Sequence, residues 1–232
     1  MLISIAGLVI DVKNKYEHFN DICRDYEVHD KEPDFCIEVT EEELKKAIEN
    51  DPGFHDGYVE GLEIYRKICR KVLDYDAMLI HSAAVSVDNE AYLFTAVSGT
   101  GKTTHISLWK KKFGDRLHIV NGDKPIIRSI DGTFYACGTP YQGKESYGEN
   151  MMVPIKAICI LERGEKNEIV KIQPAEAIST MLVQTLRTND MQEMEKMLTI
   201  TDALLRKVPF YRLKCNMDME AADVSYNGMK NE

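Results

Sequence analysis

Ser98-Gly99-Thr100-Gly101-Lys102-Thr103-Thr104 is the stretch of this chain with the most explicit chemistry. Two glycines let backbone N–H groups curl around phosphate oxygens, and a lysine can neutralise the terminal ones. The hydroxyl that follows can ligate Mg²⁺, and a helix N-terminus adds favourable positive potential. The spacing matches GxxxxGK[ST] except at its first position, which holds Ala96. The flanks supply the required context. Tyr92 to Thr95 reads as a strand entering the turn, and Ile106, Leu108, Trp109 and Phe113 recur at helical spacing after it. A bare Gly-Lys-Thr turn at an ordinary helix start would not need that order. Residues 98–104 are therefore expected to hold phosphates, with Thr103 on the metal.

Three further residues qualify by type and position. Asp123 follows the short apolar strand Leu117-His118-Ile119-Val120, at the end where open α/β folds present polar groups to a ligand. A second carboxylate near a Mg-nucleotide can bind the metal or act as base, although an aspartate before Lys124-Pro125 can also be only a turn residue. His81 lies in Leu79-Ile80-His81-Ser82-Ala83, and a histidine in an apolar strand is more often satisfied core than chemistry. Lys144 is the cation of the glycine-rich run Cys137 to Asn150. That loop could cover phosphates, read an acceptor, or be a plain surface loop.

The elements that must position these residues follow from the pattern. Ile3 to Val12 reads as one buried strand and Phe35 to Val39 as another. Thr40-Glu41-Glu42-Glu43 is a capping box opening a helix to about Asn50. Val59, Leu62, Tyr65, Cys69 and Val72 mark a helix over 56–73, with His55 at its start as a cap or surface residue. Ala77 to Val87 reads as one strand, turning at Asp88-Asn89-Glu90 into the strand before the phosphate loop. Asp131-Gly132 signals a second hairpin. A strand over 154–162, a helix from Pro174 to about Arg187, a methionine-rich helix after Asn189-Asp190, a strand over 210–215 and a last helix from Asp218 complete the chain. The methionine-rich stripe (Met191, Met194, Met197, Leu198, Thr201, Leu204, Leu205) is expected to be core. Residues 1–75 form a small α+β segment and 76–232 the nucleotide-binding domain.

Composition narrows the function classes. The 232 residues are 44% hydrophobic and 29% charged, enough to bury a real core. The net charge of −9 is concentrated at the front, where residues 1–75 carry 18 acidic and 10 basic side chains. No basic excess favours nucleic acid, and no apolar run is long enough for a membrane span or signal peptide. Six scattered cysteines without C-x-x-C spacing read as reduced thiols in a cytoplasmic protein.

The combination IHSAAV, SGTGKTTH, NGDKP and GTPYQGK resembles the HPr kinase-like proteins, which share their core with ATP-dependent phosphoenolpyruvate carboxykinases. The similarity covers about residues 77–215. It implies an α/β P-loop core of mixed sheet and flanking helices, with ATP and Mg²⁺ as ligands and a tendency to homo-oligomers. It places Lys102 and Thr103 as the phosphate lysine and metal hydroxyl. His81 matches the histidine of the preceding strand, and Asp123 the second of two adjacent acids, the first being Gly122 here. The Arg-Gly signature tied to phosphorylase activity is absent, so the reverse reaction and HPr itself as acceptor are not implied. The resulting expectation is a Mg-ATP-dependent kinase acting on a hydroxyl, first of all a serine of a peptide or protein. Asp123 serves as base or metal ligand, His81 tunes it, and Lys144 steadies the acceptor or the transferring group. A small-molecule hydroxyl kinase, a carboxykinase-like enzyme and a non-catalytic nucleotide sensor are the alternatives.

Overall fold

Ala6 and Gly7 both take positive φ, 55° and 72°, and reverse the chain where one unbroken strand was expected. The result is a hairpin of β1 (Leu2–Ile5) and β2 (Leu8–Lys13). An Ala-Gly turn lacks the usual polar marker, so the apolar run hid it. This computed structural model describes residues 1–143, 145–186 and 188–230. Helix α1 (Glu17–Ile22) follows the hairpin, and β3 (Phe35–Glu38) pairs parallel with β2 to close a three-stranded sheet. The expected capping box opens α2 (Glu41–Asn50): Thr40 accepts the Glu43 N–H, and the Glu43 carboxylate accepts the Thr40 N–H at 2.8 Å. Helix α3 (Asp56–Lys71) starts at His55, whose ring nitrogen accepts the Tyr58 N–H at 3.1 Å. Ile64, Tyr65 and Ile68 of α3 pack in one apolar cluster with Ile3 and Ile10, and also with Ala77, Leu79 and Ile126.

The strand expected over 77–87 is two strands, β4 (Ala77–Leu79) and β5 (Ala83–Val87), separated at residues 80–82. Three successive amides leave the ladder there. Ile80 N–H donates to Pro125 O (3.2 Å), His81 N–H to Gln184 O (2.7 Å) and Ser82 N–H to Asp123 O (3.1 Å). The break is thus made by partners distant in sequence, which periodicity cannot register. The chain then runs through β6 (Glu90–Thr95), α4 (Lys102–Phe113), β7 (Leu117–Asn121), β8 (Ile126–Ile130), β9 (Thr133–Cys137) and β10 (Met152–Arg163). It ends with β11 (Glu168–Ile172), α5 (Pro174–Gln184), α6 (Met191–Lys207), β12 (Phe210–Cys215) and α7 (Glu220–Lys230). Both hairpin turns form as expected, with Asp88, Asn89, Asp131 and Gly132 all at positive φ.

These strands make one mixed sheet in the order β4-β8-β9-β10-β6-β5-β7, with β12 beside the C-terminal half of β10 and β11 beside β12. Strands β6, β10 and β12 are parallel neighbours. Their alternation explains the near-continuous apolar runs, since both faces are covered. Leu93, Ile158 and Ile160 meet Met181, Ile200 and Leu204 of α5 and α6 on one face. Tyr92, Phe94, Cys159 and Leu161 meet Trp109 and Tyr226 of α4 and α7 on the other.

Three smaller expectations change. Strand β11 gave no pattern because it is a largely exposed edge, with Ile172 its one buried residue. Helix α5 stops at Gln184, because Thr185 turns extended to bridge Ile80; Arg187 lies outside the described residues. The methionine stripe is only partly core: α6 buries Met197, Ile200, Thr201, Leu204 and Leu205, while Met191, Met194 and Leu198 are exposed. The cysteines are free thiols, four of them buried. Among the described residues, no helix is long and apolar enough to cross a membrane.

Candidate active site

Strand β6 delivers the chain to the glycine turn of residues 98–101 through Ala96, whose methyl group is buried in the core beneath α4. The departure from the motif's first glycine is therefore a packing choice. Gly99 and Gly101 take φ of 80° and 124°, conformations that L side chains rarely adopt. Thr100 closes the turn from both its N–H (3.1 Å) and its hydroxyl (2.7 Å) onto Val97 O. From the end of β10, the Arg163 guanidinium donates to Gly99 O at 2.6 Å and reaches Thr100 O at 3.5 Å. Two carbonyl oxygens that would repel a phosphate are thereby tied to a cation.

At the start of α4, Lys102 Nζ lies 3.2 Å from His81 Nε2, and the same nitrogen lies 3.1 Å from Asp123 Oδ1. The break between β4 and β5 turns His81 into the cavity, where about a third of its side chain is exposed. One imidazole nitrogen cannot serve both neighbours in the same way. Protonated, it donates to the carboxylate; deprotonated, it accepts from the ammonium. The array thus places the imidazole between a cation and an anion. The hydrogen bond from His81 holds the Asp123 carboxyl below its ordinary value, helped by the charges of Lys124 and Lys102 and opposed by burial. Burial pushes the Lys102 ammonium down, with Asp123 pulling it back up.

Asn121, fully buried at the end of β7, fixes the aspartate. Its side-chain oxygen accepts the N–H groups of Asp123 (2.9 Å) and Lys124 (2.7 Å), and its amide donates to the carbonyl and hydroxyl of Thr139 (3.0 Å each). Thr139 Oγ1 in turn donates to Lys124 O at 2.9 Å, and Tyr65 Oη donates to the same oxygen at 2.7 Å. The turn bearing Asp123 is therefore held from β7, from the glycine-rich loop and from α3.

That loop folds back over Gly122. The Gly122 N–H donates to Tyr147 O at 2.8 Å, and a Cβ on Gly122 would stand 3.1 Å from Gln142 O and 3.2 Å from Tyr147 O. Gly143, at φ 77°, would place a Cβ 3.0 Å from Asp123 Cβ. The loop lies against the aspartate itself, and at the position where the resemblance supplies a first acid a side chain would press on loop carbonyls.

These parts enclose a cavity of about 860 Å³. The N-terminal third of the chain contributes to its lining through His18, Ile22 and Tyr58, beside Tyr141. Tyr141 stacks on Tyr65 at 3.8 Å between centroids and donates its hydroxyl to Gly61 O, joining loop to helix α3.

A sequence model of the family described as "SynChlorMet cassette protein ScmC" matches residues 59–220, from α3 through the whole mixed sheet to the start of α7. The chain belongs to the ScmC family. Among solved structures it is similar to the HPr(Ser) kinase/phosphatase from Coxiella burnetii, at 8% identity and a TM-score of 0.39, over 66% of this chain and 95% of that one. No curated protein sequence matches it.

Within this ScmC-family chain, Ser98, Gly99, Gly101, Lys102, Thr103, Thr104, His81 and Asp123 all line the one cavity. Thr100 lines a second cavity on the far side of the loop, and Lys144 lies outside the described residues. Thr103 and Asp123, the two expected metal ligands, face the same space. Residue patterns did not single out Asn121, Arg163, Tyr141, His18 or Tyr58. Only Asn121 had a readable signal, since Asn-Gly-Asp is an Asx-turn sequence in which the asparagine bonds the amide two residues on.

Proposed function

We propose that this chain is a Mg-ATP-dependent kinase that transfers the γ-phosphoryl group to a hydroxyl, first of all a serine of a peptide or protein. The observation that carries the reading is the Lys102–His81–Asp123 array set at the end of a glycine loop and opening into one cavity. Phosphoryl transfer asks for charge neutralisation at the terminal phosphate and a positioned carboxylate for the attacking hydroxyl. Lys102 supplies the first. Asp123, kept ionised by His81 and anchored by Asn121, supplies the second. Lys144 keeps the role of steadying the acceptor or the transferring group. The acceptor would enter against His18, Tyr58 and Tyr141, opposite the loop.

The donor set fits a Mg²⁺ that arrives with the nucleotide. Among the described residues, no group of three or more His, Cys, Asp and Glu could hold a metal unaided. Thr103 and Asp123 would offer one hydroxyl and one carboxylate to the ion, with phosphate oxygens and water as its other ligands. The ion would offset charge on the phosphates.

A non-catalytic nucleotide sensor is the second reading, favoured by the absence of a carboxylate at Gly122, where a side chain would press on the Gln142 and Tyr147 carbonyls. Incubation with γ-labelled ATP and Mg²⁺, with free serine and candidate acceptor peptides, followed by mass analysis, separates the two. A labelled acceptor supports the kinase. ATP bound without hydrolysis or transfer to any acceptor leaves the sensor.

A further inference from the structure

Residues 54–58 read Phe-His-Asp-Gly-Tyr, and the structure joins their rings to His18 of α1. Gly57 sets the approach. A Cβ there would stand 3.0 Å from both His18 Cβ and Tyr16 Cβ, so glycine is what lets α1 lie this close to α3. His18 meets His55 edge-on at 4.7 Å between centroids and Tyr58 at 6.2 Å, while Phe54 stacks on Tyr58 at 5.0 Å. The cluster is held from below. His55 Nδ1 accepts the Tyr58 N–H, and the Tyr16 hydroxyl donates to Asp56 Oδ2 at 3.1 Å. His18 and Tyr58 line the cavity that holds Lys102, His81 and Asp123, and Phe54 and Tyr58 are 55% and 37% exposed.

These rings stand on acidic ground. Residues 49–63 carry Glu49, Asp51, Asp56, Glu60 and Glu63 and no lysine or arginine. The basic side chains nearest in sequence already face carboxylates: Lys15 lies 4.0 Å from Glu41, Arg24 lies 3.2 Å from Asp21, and Arg66 pairs with Glu63. Among the described residues, the lysines lining the cavity are Lys102 and Lys124, from the start of α4 and the Asp123 turn. Burial, and then the neighbouring His55, push the basicity of His18 down, so at neutral pH it presents an uncharged ring. Exposed ring faces in an acidic field attract an ammonium or guanidinium group in preference to an apolar chain or an acid.

We propose that this wall takes an arginine or lysine side chain of the acceptor peptide, with Phe54 and Tyr58 supplying the ring faces and the acids of residues 49–63 the field. The proposal rests on the kinase reading above and narrows its substrate to peptides that carry a basic side chain near the acceptor hydroxyl. The same acidic field repels nucleotide phosphates, so donor and acceptor do not compete for this wall.

Fluorescence anisotropy of the full chain with labelled peptides tests it, in the presence of Mg²⁺ and a non-hydrolysable ATP analogue. The peptides carry one serine in an alanine-glycine background, flanked by arginines, leucines or glutamates. The proteins are the unaltered chain, Phe54→Leu, Tyr58→Leu and the double variant, which remove ring faces and keep apolar volume. Both rings are exposed, so these changes leave the core filled. The arginine peptide should bind the unaltered protein about tenfold tighter than the leucine peptide, within the range of cation–π contacts, and the glutamate peptide should bind weakest. Each single change should cut the arginine advantage by about threefold and the double variant should abolish it, with the leucine peptide unmoved. The proposal is overturned if leucine or glutamate peptides bind as well as arginine ones, if the advantage survives loss of both rings, or if no peptide binds. Transfer from γ-labelled ATP, followed in parallel, keeps the two readings apart. Label on all three peptides alike overturns the cation site and leaves the kinase standing. A ring-dependent arginine preference without labelled product supports the cation site and removes the kinase.

Discussion

The side-chain oxygen of Asn121 accepts the backbone N–H of Asp123 at 2.9 Å, so a fully buried amide sets the direction of the half-buried carboxylate. Asn121→Ala removes this bond and leaves the Asp123 and Lys124 amides and the Thr139 carbonyl short of partners. The expected cost is about 1–3 kcal/mol of stability, that of orphaned polar groups. Phosphoryl transfer should fall with nucleotide affinity nearly intact, because the phosphate loop is untouched. Urea unfolding alongside nucleotide titration checks both halves. A parallel loss of nucleotide affinity would show that the turn also supports the loop.

Lys102→Ala should lower transfer by about 100- to 1000-fold, the scale of removing one charge-stabilising donor from an active site, with circular dichroism unchanged. Retained transfer would take the loop out of the mechanism.

Gly122→Asp tests whether the missing acid is a defect or a fit. The new Cβ would meet Gln142 O at 3.1 Å and Tyr147 O at 3.2 Å, and its carboxylate would face carbonyl oxygens. We expect about 1–3 kcal/mol of destabilisation from overpacking and lower activity. A stable variant with raised transfer would mean that the glycine-rich loop yields easily and that a lost base can be restored.

His105, on the face of α4 turned to α7, has its basicity pushed down to about 4 by burial. The unfolded chain protonates this group near 6.5, so between about 6.5 and 4 the unfolded state holds more protons. Stability from this residue is then lost as pH falls through that window, up to about 3 kcal/mol in all. His105→Phe should flatten the slope of unfolding free energy against pH there, whatever constant offset the lost Trp109 bond adds. Equal slopes for the two proteins would mean that His105 is solvated in the folded state.

Glu43 is held down to about 2 by its bonds to Lys67 and the Thr40 cap. The cap's contribution is present above about pH 4.5 and lost as pH falls toward 2. Glu43→Gln should therefore cost about 0.5–1 kcal/mol near neutrality, the scale of an exposed cap and ion pair, and progressively less as pH falls through about 2. A difference independent of pH would assign the effect to helix propensity.

By itself the sequence determined the glycine turn before the helix at Lys102, the capping box at Thr40, the hairpins at Asp88-Asn89 and Asp131-Gly132, and the helix from His55. Each is a local device whose partners lie within a few residues, so its physics is written in adjacent letters. Only the tertiary structure decided that His81 leaves the sheet, because the amides of residues 80–82 are claimed by Pro125, Gln184 and Asp123. It also decided that a side chain at Gly122 would press on the Gln142 and Tyr147 carbonyls, that Asn121 holds Asp123, and that His18 and Tyr58 of the N-terminal third line the same cavity as the glycine loop. Those arrangements depend on backbone groups and loops brought together from distant parts of the chain, and no periodicity or composition encodes such meetings.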